Sequence, residues 1–492
     1  MQLDRDLASI QEVRDLIRAA KKAQALLAEM NQRQVDDIVR AMSEAACRHA
    51  RELAHMAVEE TGFGVEGDKV TKNLFAGRTV YESIRDVRSI GIIGEDREKR
   101  ILEAAVPVGV VAGLVPSTNP TSTTIFKALI SVKAGNALIV SPHPSAVRCI
   151  GRTVEILTEA AGRMGAPAGM LSMMTLPTLQ GTSELMKLSD LILATGGTAM
   201  VKAAYSSGTP ALGVGPGNVP AYIERTANIP DAVRRILASK TFDNGTICAS
   251  EQSIVTERCV KNEVIAELKR QGGHFVSGED ADRLARVILR PGAATVNPRI
   301  VGRSPQTIAD MAGIRIPSDA RVLLCEQEHV GREYPFSIEK LSPILAFYTV
   351  EDWQSACEKC LELLRFGGMG HSLSMHTQNA ELVRTFLTKK PVSRLLVNTG
   401  STQGGIGATT GIMPSLTLGC GAVGGSATSD NVTVHHLFQI RRAAYGLIEP
   451  EAVAAESAPQ PAPVRSAAAD ALSSEEMERI VQAVLRQVRG RP

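Results

Sequence analysis

The sequence predicts an α/β fold built on parallel sheets, and three observations carry that prediction. From about residue 92 the chain has short apolar runs over 106–115, 137–140, 190–194 and 221–223. Runs apolar along their length are those of strands buried on both faces, as in parallel sheets. Helical stretches alternate with them, and 124–133 fits a crossover helix between two runs, the connection that parallel pairing requires. The 492 residues, 44% apolar and 22% charged, exceed one ordinary core and suggest two or three domains.

Taken in order, residues 2–60 read as helices, with Leu7, Ile10, Val13 and Ile17 at helical spacing. The parallel α/β region follows. A second α/β region runs from about 230 to 430, with a helix over 230–240 and a strand over 344–348. Glycines crowd between 400 and 425 (STQGGIGATTG, LGCGAVGG), where backbone can approach a ligand or other backbone closely. Residues 451–469, rich in Ala, Pro and Ser, read as a flexible linker. In the tail beyond it, Leu472, Met477, Ile480, Val481, Val484, Leu485 and Val488 fall on one helical stripe. Ser473 and Glu476 are spaced as a capping box, and Leu472 and Met477 are placed to staple it. A helix of about five turns is marginal alone in water, so something must cover that stripe.

A formal net charge of +2 and 3% aromatics argue against a nucleic-acid surface or an anionic-membrane surface. No apolar run reaches the length of a membrane span, and the charged N-terminus has no signal core. The eight cysteines form no paired framework, which points to reduced thiols and the cytosol. Cys357 and Cys360 make one CxxC without a second pair or a spaced histidine, so it reads as a helix-face coincidence and no metal site is expected. His435 and His436 read as surface or interface residues.

The most informative segment is FDNGTICASEQSIV, which sets Cys248 among Gly245, Thr246, Ile247, Ala249 and Ser250. A nucleophilic thiolate needs room for substrate and nearby N–H groups to hold an oxyanion, and small neighbours leave that room. By itself a cysteine in such company is more often structural.

Several pieces in the same order make the segment specific by resemblance. The segment around Cys248 resembles the active-site motif of the CoA-acylating branch of the aldehyde dehydrogenase family. Val115-Pro116-Ser117-Thr118-Asn119-Pro120 resembles the loop carrying the oxyanion asparagine. Ala194-Thr195-Gly196-Gly197-Thr198 resembles the strand-to-helix turn over the cofactor, and Glu339-Lys340-Leu341-Ser342-Pro343 the stretch whose glutamate holds the nicotinamide ribose. Gly419-Cys420-Gly421 with Ser429-Asp430-Asn431 resembles a late glycine-rich motif of the branch. The resemblance covers residues 5–448.

The resemblance implies an aldehyde dehydrogenase fold: a parallel-sheet cofactor domain over 1–228, an α/β catalytic domain over 229–430, and a small strand extension over 431–450 that serves dimers or tetramers. It implies that Cys248 attacks a small aldehyde, that Asn119 and the Cys248 N–H hold the oxyanion, and that a thioacyl-enzyme remains after hydride transfer. Ser117, Thr118, Ser141, His143, Thr195, Gly196, Gly197 and Glu339 are the expected cofactor contacts. Ile247 and His371 are candidates for the CoA or substrate site. Hydrolytic relatives place a water-activating glutamate where this chain has Val214, and an alkyl group abstracts no proton. The acyl group is therefore expected to wait for a better nucleophile than water, the thiol of coenzyme A. Ser141-Pro142-His143-Pro144 stands where hydrolytic relatives often carry a lysine and a glutamate toward the adenosine ribose; both are missing here, so NADP stays open beside the favoured NAD.

The tail over 470–492 resembles an encapsulation peptide that docks enzymes to bacterial microcompartment shells or to each other, and such compartments supply propionaldehyde or acetaldehyde. The alternative for the helix is folding back on its own subunit or oligomer. For the chain, the alternatives are a hydrolytic aldehyde dehydrogenase, a semialdehyde reductase, and a non-catalytic assembly protein.

Overall fold

The computed structural model describes residues 4–290, 292, 295–450 and 473–489. Its elements sort into two units, Met1–Gly94 with Glu103–Arg441 in the first and Glu95–Leu102 with the described residues from Arg442 onward in the second.

The helices expected over 2–60 are Arg5–Ala28, Gln32–Arg48 and Ala50–Thr61. Their apolar stripes bury Val13, Ile17, Leu27, Val35, Ile38, Met42 and Leu53. Among the described residues, fifteen strands follow. The first two, β1 (Gly91–Asp96) and β2 (Ile101–Pro107), join the last, β15 (Phe438–Ala444), in a three-stranded sheet of order β1-β2-β15.

Next come β3 (Val110–Val115), β4 (Ala137–Pro142), β5 (Leu171–Met173), β6 (Leu191–Thr195) and β7 (Ala211–Val214). They form a five-stranded sheet of order β5-β4-β3-β6-β7, parallel throughout. Every residue of β3 and of β4 is buried, as the unbroken apolar runs require. The crossover helix is Pro120–Lys133.

The run read over 106–115 is two strands. Gly109 takes φ +130°, and a Cβ there would meet the Asp190 carboxylate at 2.3 Å. That carboxylate accepts from the Val110 N–H at 2.8 Å, so the chain bends where hydropathy alone reads a continuous run.

The third sheet holds β8 (Val219–Ile223), β9 (Glu251–Glu257), β10 (Gly273–Val276), β11 (Val322–Glu326), β12 (Ile344–Val350), β13 (Gly370–His376) and β14 (Val392–Val397). Its order is β10-β11-β12-β9-β8-β13-β14, again parallel. The chain passes from the five- to the seven-stranded sheet over 215–218, upstream of the 228/229 boundary read from the sequence. The expected helix over 230–240 is Ile229–Thr241.

In the second unit, the tail helix spans Ser474–Arg489. Its capping box is formed: the Ser473 N–H donates to Glu476 Oε2 at 3.1 Å and the Glu476 N–H to Ser473 Oγ at 3.3 Å. Met477, Ile480, Val481, Val484 and Leu485 are all exposed, by 45–53%. The linker read over 451–469, Leu472 and the Val488 side chain lie outside the described residues. Among the described residues, no helix is long and apolar enough to cross a membrane.

Candidate active site

The two large parallel sheets bring opposite edges together. From the C-terminal edge of the five-stranded sheet come Ser117–Asn119 after β3, Ser141 and His143 at the end of β4, Thr195–Gly197 after β6, and Val214–Pro216 after β7. In open α/β sheets, loops beyond the strand C-termini at a reversal of strand order make the ligand crevice; here the order reverses between β3 and β6. From the N-terminal edge of the seven-stranded sheet come Cys248 before β9, Glu339 before β12 and His371 at the start of β13.

They surround a cavity of about 490 Å³ whose wall includes Ser117, Thr118, Asn119, Ser141, His143, Thr195, Gly196, Gly197, Val214, Cys248 and Glu339. Ten of the twelve residues singled out in the sequence line this wall. His371 stands just behind it, its Nε2 3.3 Å from Cys248 Sγ. Ile247 faces away: it is 6% exposed and packs in the core.

The turn that delivers Cys248 is strained. Asp243, Asn244 and Gly245 take φ +51°, +51° and +76° in succession, a conformation that non-glycine residues hold only when the surroundings impose it. The Asp243 carboxylate does so. It accepts from the Val65 N–H at 2.7 Å, Lys69 Nζ at 3.0 Å and Thr246 Oγ1 at 2.6 Å, and it pairs with Lys72. Lys72 Nζ also donates to Asn119 Oδ1 at 2.6 Å, and Asn119 Nδ2 donates to the Thr246 carbonyl at 2.8 Å. Burial lowers the Lys72 pKa to about 8 against the pull of Asp243. Sequence reading missed Lys69, Lys72 and Asp243, because no spacing rule joins a helix at 66–74 to a turn more than 170 residues later.

Cys248 is part-exposed and lines the cavity. Burial, and next the Glu339 carboxylate, push its thiol up to about 12, while its own backbone N–H favours the thiolate. Burial and then Arg394 hold His371 down to about 3. The resting pair is therefore a neutral thiol beside a neutral imidazole. His371 Nδ1 lies 3.1 Å from Ser372 Oγ. Arg394 is locked in place by the late glycine motif: it donates to the carbonyls of His371 at 2.9 Å, Gly419 at 2.7 Å and Ser429 at 3.3 Å. Gly217 has to be glycine, since a Cβ there would sit 2.3 Å from the Cys248 carbonyl and 3.0 Å from the His371 ring.

Glu339 accepts from the Gly217 N–H at 2.8 Å, and burial raises it to about 7. The helix Thr198–Tyr205 begins at Gly197 with no side-chain cap. A Cβ on Gly197 would meet nothing within 4 Å, so uncapped N–H groups there have open space for a phosphate. The cavity's size, the open helix N-terminus and the Glu339 carboxylate in its wall suit a nicotinamide nucleotide.

The aldehyde dehydrogenase family model matches residues 4–288. The chain belongs to the aldehyde dehydrogenase family. An acetylating aldehyde dehydrogenase from Geobacillus thermoglucosidasius is 55% identical, with a TM-score of 0.90, 91% of this chain and 99% of that one being covered. A succinate-semialdehyde dehydrogenase (acetylating) from Clostridium kluyveri is 35% identical over 88% of this chain and 95% of its own length. A propionaldehyde dehydrogenase from the Clostridium phytofermentans fucose utilisation bacterial microcompartment is 28% identical, with a TM-score of 0.79, 88% of this chain and 97% of that one being covered. The chain also matches aldehyde-alcohol dehydrogenases at 41–43% identity and spans about half of their length.

Proposed function

We propose that this aldehyde dehydrogenase oxidises a short-chain aldehyde, such as propionaldehyde or acetaldehyde, and transfers the acyl group to coenzyme A. One observation carries the reading: Cys248, with His371 Nε2 at 3.3 Å, shares a cavity with Asn119 and with Val214 where hydrolytic relatives need a glutamate. The acetylating relatives support the same chemistry.

His371, neutral and with Nδ1 bonded to Ser372, takes the thiol proton as Cys248 Sγ attacks the aldehyde carbon. The developing oxyanion is held by Asn119 Nδ2 and the Cys248 backbone N–H. Each such donor contributes about 3 kcal/mol, or roughly a hundredfold in rate. NAD or NADP, when bound, supplies the hydride acceptor that takes the carbon to the thioester level. Ser117, Thr118, Ser141, His143, Thr195, Gly196, Gly197 and Glu339 would hold it. Apolar Val214 then protects the thioacyl-enzyme from water until the CoA thiol displaces Cys248.

The parallel sheets support a cofactor domain upstream of the 215–218 crossover and a catalytic domain after it, with β15 serving a homodimer or homotetramer. The exposed stripe of Ser474–Arg489 supports docking to a microcompartment shell or a co-encapsulated enzyme.

Cofactor reduction with two- to four-carbon aldehydes, with and without CoA and with NAD and NADP, tests the reading. CoA-dependent NADH or NADPH formation with acyl-CoA product is expected; free acid at full rate without CoA overturns it. A hydrolytic second reading rests on Glu339, a buried carboxylate in the same cavity. Under that reading Glu339→Gln abolishes acid release; under ours it weakens cofactor binding and leaves the product acyl-CoA.

A further inference from the structure

Asn119 occupies the N-cap of the helix Pro120–Lys133, yet its side chain makes no capping bond. Asparagine at that position ordinarily spends its amide on a helix N–H. Here the amide is turned instead toward the helix Glu66–Leu74 on one side and the nucleophile turn on the other. A carboxamide can present either its oxygen or its nitrogen, and the two faces have nearly the same shape. Only the N–H face stabilises an oxyanion; the reversed amide would repel it.

We propose that Lys72 is the positioning residue for Asn119: its ammonium donates to Asn119 Oδ1 at 2.6 Å and so fixes the amide with Nδ2 on the side of the turn that carries Cys248, where it donates to the Thr246 carbonyl at 2.8 Å and to Thr118 Oγ1 at 3.3 Å. An ammonium has donors and no acceptor, so the atom facing it must be oxygen. The Thr246 carbonyl has no donor, so the atom facing it must be nitrogen, as its 2.8 Å contact with Nδ2 requires. The two partners impose the same orientation from opposite ends. A cation on the amide oxygen also draws charge from the nitrogen and strengthens the N–H as a donor.

Lys72 is itself pinned. It pairs with Asp243 and reaches Thr246 Oγ1 at 3.2 Å, both in the turn that carries Cys248. Asn73, next on the same helix, donates to the Ala50 carbonyl at 3.0 Å and accepts from Thr121 Oγ1 at 2.7 Å. A π-helical turn over Phe75–Thr79 follows directly. Lys69, Lys72 and Asn73 are all buried. One helix thus ties the Asn119 loop to the Cys248 turn.

This inference rests on the reading of Asn119 as the oxyanion donor, and the test separates the two. The full-length enzyme is assayed as wild type, Lys72→Met, Asn119→Ala and the double variant, with kcat and KM for propionaldehyde and thermal melting of each. Asn119→Ala is expected to lower kcat roughly a hundredfold or more. Lys72→Met should lower kcat about tenfold with little change in KM, and should cost nothing further when Asn119 is already alanine. Lys72→Gln, which keeps an N–H donor, should recover part of the loss and serves in the same cycle if the methionine variant does not fold. Equal losses from Lys72→Met with and without Asn119 would make Lys72 merely structural and overturn the proposal. A wild-type kcat in Asn119→Ala would instead sink the oxyanion reading itself.

Discussion

At the scale of the residue, the site is organised around a thiol that rests protonated. Burial and Glu339 push Cys248 up to about 12, and His371 is held down to about 3. Below its pKa a thiol's reactive fraction grows about tenfold per pH unit. Alkylation of the Cys248 peptide by iodoacetamide in the free enzyme, followed by mass spectrometry, should therefore keep rising from pH 6 to pH 9. A plateau reached by pH 7 would reveal a preformed thiolate–imidazolium pair instead. Val214 is the second residue on which the proposed chemistry depends. It is 3% exposed and lines the cavity with Cys248. Val214→Glu should introduce CoA-independent release of free acid, measured by product analysis. Unchanged, strictly CoA-dependent turnover would mean that the position does not reach the acyl carbon.

At the scale of the element, two short segments do unlike work. The turn Asp243–Gly245 holds three consecutive left-handed residues. Gly245 can be so held because it lacks a Cβ; one there would sit 3.2 Å from the carbonyls of Lys240 and Ser342. Gly245→Ala should cost about 1 kcal/mol or more from the left-handed strain, seen as a lower melting temperature, and should slow turnover because Cys248 lies three residues on. A melting temperature equal to the parent's would show that the turn relaxes freely. The tail helix has a formed capping box and one uncovered apolar face. A peptide of residues 470–492 should be only partly helical in water, and Ser473→Ala should reduce its helicity by about 1 kcal/mol of capping energy. Circular dichroism reads both.

At the scale of the whole molecule, two parallel sheets meet the cavity with opposite edges, and this explains how residues from 117 to 371 act together. Loops at the strand C-termini of one sheet contribute Ser117–Asn119, Ser141, His143 and Thr195–Gly197, and strand N-termini of the other contribute Cys248, Glu339 and His371. On the proposed reading, catalysis needs nothing from residues 451–492. Deleting 451–492 should leave turnover intact and abolish association with shells in a co-purification assay. Undiminished shell association of the shortened enzyme would move the address elsewhere.

Much of this was legible in the chain itself. Unbroken apolar runs announced β3, β4 and β6 because a strand buried on both faces can carry no polar alternation. The capping box and stripe announced the tail helix, and the ordered motifs around Asn119, Thr195, Cys248 and Glu339 announced the cavity wall. What local pattern could not carry is contact between distant segments. The bend at Gly109 depends on Asp190, the turn at Asp243 on Lys69 and Lys72, and the neutral state of His371 on its burial and then on Arg394. Each is a charged group whose meaning comes from a partner many residues away, and pairing of that kind is set only when the sheets pack.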